Sequence, residues 1–270
     1  MQKLKALIDL DPIVYRIGFA CQSKDEDGNV EAEPLSHTLR SVRVFVEGVI
    51  RDSKATSYTG YLSGKGNFRS IVDPEYKMNR FGSKKPVHFQ AIREYLIKRF
   101  NAVLVDGQEP DDVICYEQKT DGSSIICTVD KDLLMKEGRH YNYVTKAFKE
   151  VTKEGGIKWF YTQLLTGDSV DNIAGIKGMG KAKAVKLLDS VDRRGWDSLV
   201  LEQYEKFREK SLAVVEKLTE DEKLLSKNYD YVAFAKYPAF QRMVMNEQLL
   251  WMVQSDLLAP VDFWGMCSGD

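Results

Sequence analysis

The sequence predicts an α/β protein with a mostly parallel central sheet, helices on both faces, and an all-helical C-terminal region. Strand-like apolar runs at 4–10, 57–62, 102–105 and 124–129 alternate with helical-period segments at 39–50 and 87–100. That alternation is the pattern of parallel strands joined by crossover helices. Beyond Gly155-Gly156 the apolar spacing turns helical, with interruptions at 168–180, 192–195 and 237–238. The 270 residues suffice for one large domain or two small ones.

Taken in order, the run 4–10 alternates loosely and ends near Asp9. Leu39, Val42, Phe45, Val46, Val49 and Ile50 fall on one helical face. After the short strand 57–62, residues 64–86 are rich in Gly, Pro and basic side chains without a clean period, and read as a flexible or partly helical excursion. An amphipathic helix follows at 87–100, then the strand 102–105 and a helix opening at Pro110, where proline is tolerated in the first turn. The strand 124–129 ends at Asp130, and 140–144 with 148–151 form a small hairpin.

Composition is that of a soluble globular protein, at 43% hydrophobic and 29% charged residues. No apolar run approaches the roughly 18 residues of a membrane span, and the N-terminus reads as a strand and not as a signal peptide. Cys21, Cys115, Cys127 and Cys267 lack zinc-like spacing and read as reduced, buried thiols of a cytoplasmic protein. With His37, His88 and His140 the only histidines, a histidine-based zinc site and a Ser-His-Asp arrangement are both disfavoured. The net charge of −1 hides a segregation: residues 64–100 carry nine basic side chains against three acids, and 173–188 carry four lysines and no acid. Basic surfaces kept apart from acids suit a phosphate binder built around an acidic centre, although a charge run by itself is usually a solvated face.

The acids fall at strand ends. Asp9 closes the first strand; Glu109, Asp111 and Asp112 open the helix after the third; Asp130 and Asp132 follow the fourth; Asp168 and Asp171 sit in a later loop. Strand C-termini of an open parallel sheet share one edge, where ligands bind. Singly, each acid has a bland role: Asp111 and Asp112 complement a helix dipole, and Asp130 caps a helix. Gathered together they need a compensating cation, because like charges disfavour ionisation. Oxygen donors without histidine or cysteine favour Mg²⁺ or Mn²⁺ over zinc, and two such ions can activate water and stabilise a leaving oxygen. A second motif, Gly175-Ile176-Lys177-Gly178-Met179-Gly180-Lys181, leads into a helix bearing Lys183. Its glycines permit tight turns, and the helix start presents N–H groups to phosphate. The spacing and the helical lead-in exclude a P-loop.

These residues carry a resemblance. Residues 168–181 (DSVDNIAGIKGMGK) resemble the helix–three-turn–helix segment of the flap endonuclease / 5′→3′ exonuclease family. Glu109-Pro110-Asp111-Asp112 is similar to its Glu-x-Asp-Asp signature, Asp130-Lys131-Asp132 to its Asp-x-Asp strand end, and Asp9 with Tyr15-Arg16 to its N-terminal motif. Residues 72–80 (VDPEYKMNR) and the following Lys84-Lys85-Pro86 look most like bacteriophage replication exonucleases. The likeness covers about residues 4 to 190.

The resemblance implies a PIN-like nuclease core at 1–155 with an arch or gateway at 64–90, and a helical DNA-binding region at 156–270 with the helix–three-turn–helix at about 160–190. It implies two Mg²⁺ ions, replaceable by Mn²⁺, the first on Asp9, Glu109 and Asp111 and the second on Asp130, Asp132 and Asp168. Asp112 and Asp171 would support them. Lys77 and Arg80, with Asp9 and Asp130, would be catalytic, and Tyr76 would stack on an unpaired base. Arg16, Lys84, Lys85, Gly175, Lys177, Gly178, Gly180, Lys181 and Lys183 would hold DNA, with a monovalent cation at the helix–three-turn–helix. The implied partners are DNA 5′ ends, flaps, nicked or branched duplex and RNA–DNA hybrid, in the host cytoplasm if phage-encoded; no membrane and no particular protein partner is implied. One departure stands out. Ser63-Gly64 occupies a strand end where the family carries an acid, which loosens the first metal site unless Asp11 compensates. A DNA-binding protein with lost catalysis and an acidic-edge ribonuclease therefore stay open beside the nuclease.

Overall fold

The computed structural model describes residues 3–27 and 29–252. Cys267 and the end of the expected helical region lie outside the described residues. The chain divides into two compact units. The first takes the described residues up to Asn67, Gly82–Lys153 and Met252; the second takes Phe68–Phe81 and Glu154–Trp251.

The first unit opens with β1 (Lys5–Asp9) and α1 (Asp11–Ala20), then a short hairpin of β2 (Gln22–Lys24) and β3 (Val30–Ala32). α2 (Leu35–Asp52) and β4 (Ser57–Ser63) follow. After α3 (Arg69–Val72), which belongs to the second unit, come α4 (Phe89–Phe100), β5 (Val103–Val105), α5 (Pro110–Glu117), β6 (Ser124–Cys127), β7 (Gly138–Asn142) and β8 (Ala147–Val151). The sheet order is β5-β4-β1-β6-β7-β8, parallel throughout except for the β7–β8 hairpin.

β1 sits at the centre because both of its faces are apolar. Ala6 and Ile8 join one buried cluster with Ile13 and Val14 of α1, Val42, Val46 and Val49 of α2, and Ile92 and Leu96 of α4. Leu7 points the other way, as alternate strand residues must. It is fully buried, as are Ile126 and, on α5, Ile114 and Cys115; α5 packs on β1 and β4. Each such aliphatic side chain contributes about 1.5–3 kcal/mol by burial. The mostly parallel sheet with helices on both faces is therefore the one the alternation of elements predicts.

The connections leave β1 toward β4 and β5 on one side and return to β6 on the other. The C-terminal end of β1 is thus a topological switch point, where open sheets leave a crevice. Register pairs Asp9 with Tyr61, Ile8 with Cys127, and Ser63 with Val105, so the ends of β1, β4, β5 and β6 meet at one edge.

Two differences from the sequence reading have physical causes. α1 is absent from that reading because the apolar run of β1 passes into it without a break, although Pro12 marks its first turn. Residues 64–90, expected to hold a helical arch, contain only the four-residue α3 and one 3-10 turn, Met78–Arg80, before α4 begins. The basic, proline-containing stretch lacks the apolar stripe that a longer helix needs.

In the second unit α6 (Lys153–Thr166) and α7 (Lys181–Leu188) flank the glycine loop, and α8 (Trp196–Val215), α9 (Glu220–Lys223), α10 (Tyr229–Lys236) and α11 (Ala239–Leu250) complete it. Phe234 of α10 lies 4.8 Å from the rings of Tyr204 and Phe207 on α8. Arg69, fully buried, donates from Nε to the Leu249 carbonyl at 2.8 Å and from a terminal nitrogen to that of Trp251 at 2.9 Å, which pins α3 to the end of α11. Arg242 and Asp73 form a buried ion pair at 3.4 Å. Among the described residues no helix is long and apolar enough to cross a membrane, and Cys21, Cys115 and Cys127 are buried free thiols.

Glu247 on α11 is 4% exposed. Burial, with the nearby Asp197 charge, pushes its carboxyl up to about 8. A carboxyl raised on folding stabilises the fold below its ordinary range and loses that contribution as pH rises toward the folded value. Glu247→Gln should therefore match wild type in thermal melts at pH 4 and melt roughly 5 °C higher at pH 9; equal melting at both pH values would contradict the assignment.

Candidate functional site

In the first unit the acids gather at the switch point. Asp9 is 4% exposed at the end of β1. One carboxylate oxygen accepts the Thr128 hydroxyl at 3.1 Å and the other the Asp11 N–H at 3.3 Å. Thr128, just past β6, also accepts the Asp130 N–H at 3.0 Å, and Asp130 in turn accepts the Asp132 N–H at 2.8 Å. The chain Asp9–Thr128–Asp130 thus ties together the ends of β1 and β6. Thr128 is absent from the sequence reading; its signal was the hydroxyl two residues before an aspartate at a strand end, a common local turn. Tyr143, another residue not singled out, donates its hydroxyl to the Asp9 carbonyl at 3.2 Å.

Asp111, in the first turn of α5, completes the group. Its carboxyl is raised well above the ordinary range, first by loss of solvent and then by repulsion from Asp9, Asp130, Glu109 and Asp112. Asp9 is raised likewise by burial, then by Asp11 and Asp130. The structure therefore places Asp9, Asp130, Glu109 and Asp112 within repulsive range of Asp111, and Asp11 and Asp130 within repulsive range of Asp9. Asp132 starts the 3-10 turn Asp132–Met135.

Part of the bland reading also holds. Glu109 and Asp112 form a reciprocal capping box on α5, with the Glu109 N–H on Asp112 at 3.1 Å. Asn67 donates to Glu109 at 2.9 Å, whereas the turn after Asp130 has Lys131 at its N-cap and no side-chain cap. The donors are hard oxygens, and their gathered like charges suit a hard divalent cation. Among the described residues, however, no three His, Cys, Asp or Glu side chains are gathered closely enough to hold an ion.

Ser63 closes β4 beside this group. Its N–H donates to Asp11 at 2.8 Å, and its hydroxyl donates to the same oxygen. Arg93 of α4 pairs with the other Asp11 oxygen at 3.1 Å and donates to the Ser63 carbonyl. Asp11 therefore lies against the position where the sequence lacks an acid, but its charge is offset by Arg93.

In the second unit two motifs that read separately in sequence are joined. Asp168, 4% exposed, bends its own loop: its carboxylate accepts the Val170 N–H at 2.8 Å, and its backbone pairs with Ile173. Asp171 accepts the Tyr76 hydroxyl at 3.0 Å, ion-pairs with Lys77 at 3.4 Å, and binds the Arg80 guanidinium. Lys77 holds a left-handed φ of 57° and donates its N–H to the Asp171 carbonyl at 2.9 Å. Asn79 donates to the Ser169 carbonyl at 2.8 Å. The expectation that Tyr76 stacks on a base is corrected: the ring is 6% exposed, its hydroxyl is engaged, and Lys77 Nζ lies 5.0 Å over its face.

The glycine loop joins α6 to α7. Glycine at 175 is dictated from within, because a Cβ there would lie 2.0 Å from the Thr166 carbonyl oxygen. That is the tight-turn requirement the sequence implies for this glycine. Gly178, with φ 86°, faces solvent, and Gly180 precedes α7 without a side-chain cap. Lys177, Lys181 and Lys183 are exposed along this stretch, with Lys181 Nζ 4.3 Å over the Trp159 ring. On the first unit, exposed Arg16 lines a cleft of about 280 Å³ with Val129 and Tyr143. Lys84 and Lys85 are exposed before α4.

The raised carboxyls of Asp9 and Asp111 make the metal-free fold less stable as pH rises from the ordinary carboxylate range through their raised values. Asp111→Asn should melt higher than wild type in EDTA at pH 8 and gain less from added Mg²⁺ or Mn²⁺. Thermal melts check this; wild type gaining nothing from millimolar Mg²⁺ or Mn²⁺ would count against a cation at these acids.

No family model matches the chain. A 5′-3′ exonuclease of Mycoplasma pneumoniae is 28% identical over 212 residues, 67% of this chain and 70% of that protein. An exodeoxyribonuclease of Enterobacteria phage T3 is 29% identical over 120 residues, 42% of this chain and only 40% of the phage protein. A 5′-3′ exonuclease of Aquifex aeolicus is 32% identical over 52% of this chain and 53% of its own length. Among solved structures, the T5 D15 protein co-crystallised with metal ions superimposes with a TM-score of 0.59 at 16% identity, covering 97% of this chain and 94% of that one. The catalytic core of Rad2 in complex with DNA gives 0.51 at 13% identity, over 84% and 72%. In sequence the chain is similar to 5′-3′ exonucleases of bacteria and phage, and its fold is that of the phage T5 5′-exonuclease.

Proposed function

We propose that the chain is a divalent-metal-dependent 5′ nuclease, a 5′→3′ exonuclease or flap endonuclease, that hydrolyses DNA phosphodiesters and removes primers or processes 5′ ends in phage replication or recombination. The observation that carries this is the convergence of Asp9, Asp130 and Asp111 at the ends of β1 and β6 and the start of α5, with Asp9 and Asp130 tied through Thr128 and like charge raising the Asp9 and Asp111 carboxyls. The relatives named as exonucleases support it, as does the T5 flap endonuclease structure described with DNA and metal ions.

In this reading Asp9, Glu109, Asp111 and Asp130 hold Mg²⁺, with Mn²⁺ able to substitute, and Thr128 fixes the Asp9 carboxylate. A divalent ion held there would supply a water nucleophile and charge stabilisation of the leaving oxygen. Lys77 and Arg80 offset developing phosphate charge, already oriented by Asp171. The exposed lysines of the glycine loop and the uncapped start of α7 grip the DNA backbone, and a monovalent cation there would assist. The products are fragments ending in 5′-phosphates.

An end-labelled panel of blunt duplex, nicked duplex, 5′ flap and RNA–DNA hybrid, each with Mg²⁺ and Mn²⁺, tests the proposal. Asp130→Ala should abolish cleavage and keep DNA binding, and Lys77→Ala should lower kcat by about 100-fold or more. No cleavage of any substrate with either metal would favour the second reading, a structure-specific DNA-binding protein without catalysis. The Ser63–Asp11–Arg93 arrangement favours that alternative, because an ion pair stands where a further metal-binding acid belongs.

A further inference from the structure

Within the second unit, helices beyond residue 190 hold the glycine loop residue by residue. Asn172 keeps a left-handed φ of 59°, and the Tyr229 hydroxyl donates to its carbonyl at 2.7 Å. Asn246, fully buried on α11, donates from Nδ2 to the Ala174 carbonyl at 2.8 Å and to the Tyr204 hydroxyl at 2.8 Å. The Gly175 N–H donates to Asp230 at 3.3 Å. The backbone that leads into Lys177 is thus fixed by α8, α10 and α11. The Lys177 side chain is held as well. Its ammonium donates to the Lys227 carbonyl, in the 3-10 turn Ser226–Asn228 before α10, and lies 4.8 Å over the ring of Tyr231. The ammonium of Lys210, on α8, lies 5.8 Å from the centre of the same ring. Phe207 fixes that ring in turn, 5.5 Å away on α8.

An aromatic face attracts a cation without neutralising it. Other lysines of this unit meet carboxylates: Lys158 pairs with Asp189, Lys206 with Glu202, Lys223 with Glu220 and Lys236 with Glu75. Among the described residues Lys177 and Lys210 form no such ion pair. Asp230, the acid that senses the Lys177 charge, is engaged with the loop backbone. Two like charges drawn to one ring repel each other, which favours an anionic ligand beside them. Each ammonium has three donors, so Lys177 keeps two beyond the carbonyl it meets. A lysine already laid on a ring also loses less rotamer freedom when it binds. We propose that Lys210 is a DNA-backbone contact beside Lys177, and that Tyr231 is the positioning residue that aims both at phosphate. The proposal rests on the DNA reading of the glycine loop and extends the grip from that loop onto α8.

The test titrates the full chain with labelled nicked duplex by fluorescence anisotropy, in EDTA and across a series of KCl concentrations. Lys210→Ala should lower the slope of log affinity against log salt by about 0.9, the loss of one phosphate contact. Tyr231→Leu should weaken binding by about fivefold at fixed salt while keeping the slope. Tyr231→Phe, which retains the ring, should bind as wild type does. In a Lys177→Ala/Lys210→Ala background, Tyr231→Leu should have no further effect, because a residue that acts only through the two lysines is silent once they are gone. An equal loss in that background would show that the ring merely supports α10 against Phe207, and would overturn the proposal. So would an unchanged salt slope for Lys210→Ala. Either result with wild type binding duplex leaves the DNA reading standing; wild type binding no duplex would overturn that reading and the proposal together.

Discussion

Repulsion among carboxylates at the end of β1 is the constraint around which the first unit is arranged. Asp9, Asp111 and Asp130 come from three different elements, and nothing in a hydrophobic core requires them to meet. Folding brings them together only because the apolar faces of β1 leave it no position but the centre of the sheet. The burial that stabilises the strand is what desolvates the acids at its end. Keeping them ionised there is costly unless a cation offsets the charge. The polar partners, Thr128 on Asp9 and the capping box of Glu109 and Asp112, fix these side chains in place without neutralising them.

A contrasting solution appears one strand away. Asp11 meets Arg93 and the Ser63 hydroxyl, so its charge has a counter-ion within the protein although it still repels Asp9. The same edge therefore carries an ion-paired acid beside the raised carboxyls of Asp9 and Asp111. In the second unit Asp171 plays the balanced part as well, since Lys77 and Arg80 both close on it. Such pairs are worth little as stability when exposed, but here they hold two cations and a turn in one orientation. Orientation is what a phosphate contact needs.

Much of this was legible in the chain. The alternation of apolar strands and amphipathic helices marks the parallel sheet, because burial on two faces leaves a signature in every strand. The acids at 9, 109–112 and 130 could be placed on one edge for the same reason, since a parallel sheet turns position at a strand end into position in space. α1 and the β2–β3 hairpin escaped the reading because one continues an apolar run and the other is held by only three residues per strand.

The sequence by itself determined the sheet, the edge and the identity of the acids upon it, because those depend on periodicity and on the ends of strands. Tertiary structure alone decided which charges are offset and which are not. It turned Asp11 toward Arg93 and left Asp9 and Asp111 opposed; it buried Tyr76 beneath Lys77 and exposed Phe81. Pairing and exposure depend on residues tens of positions apart, and no local pattern encodes which of two neighbouring side chains will face its partner and which will face water.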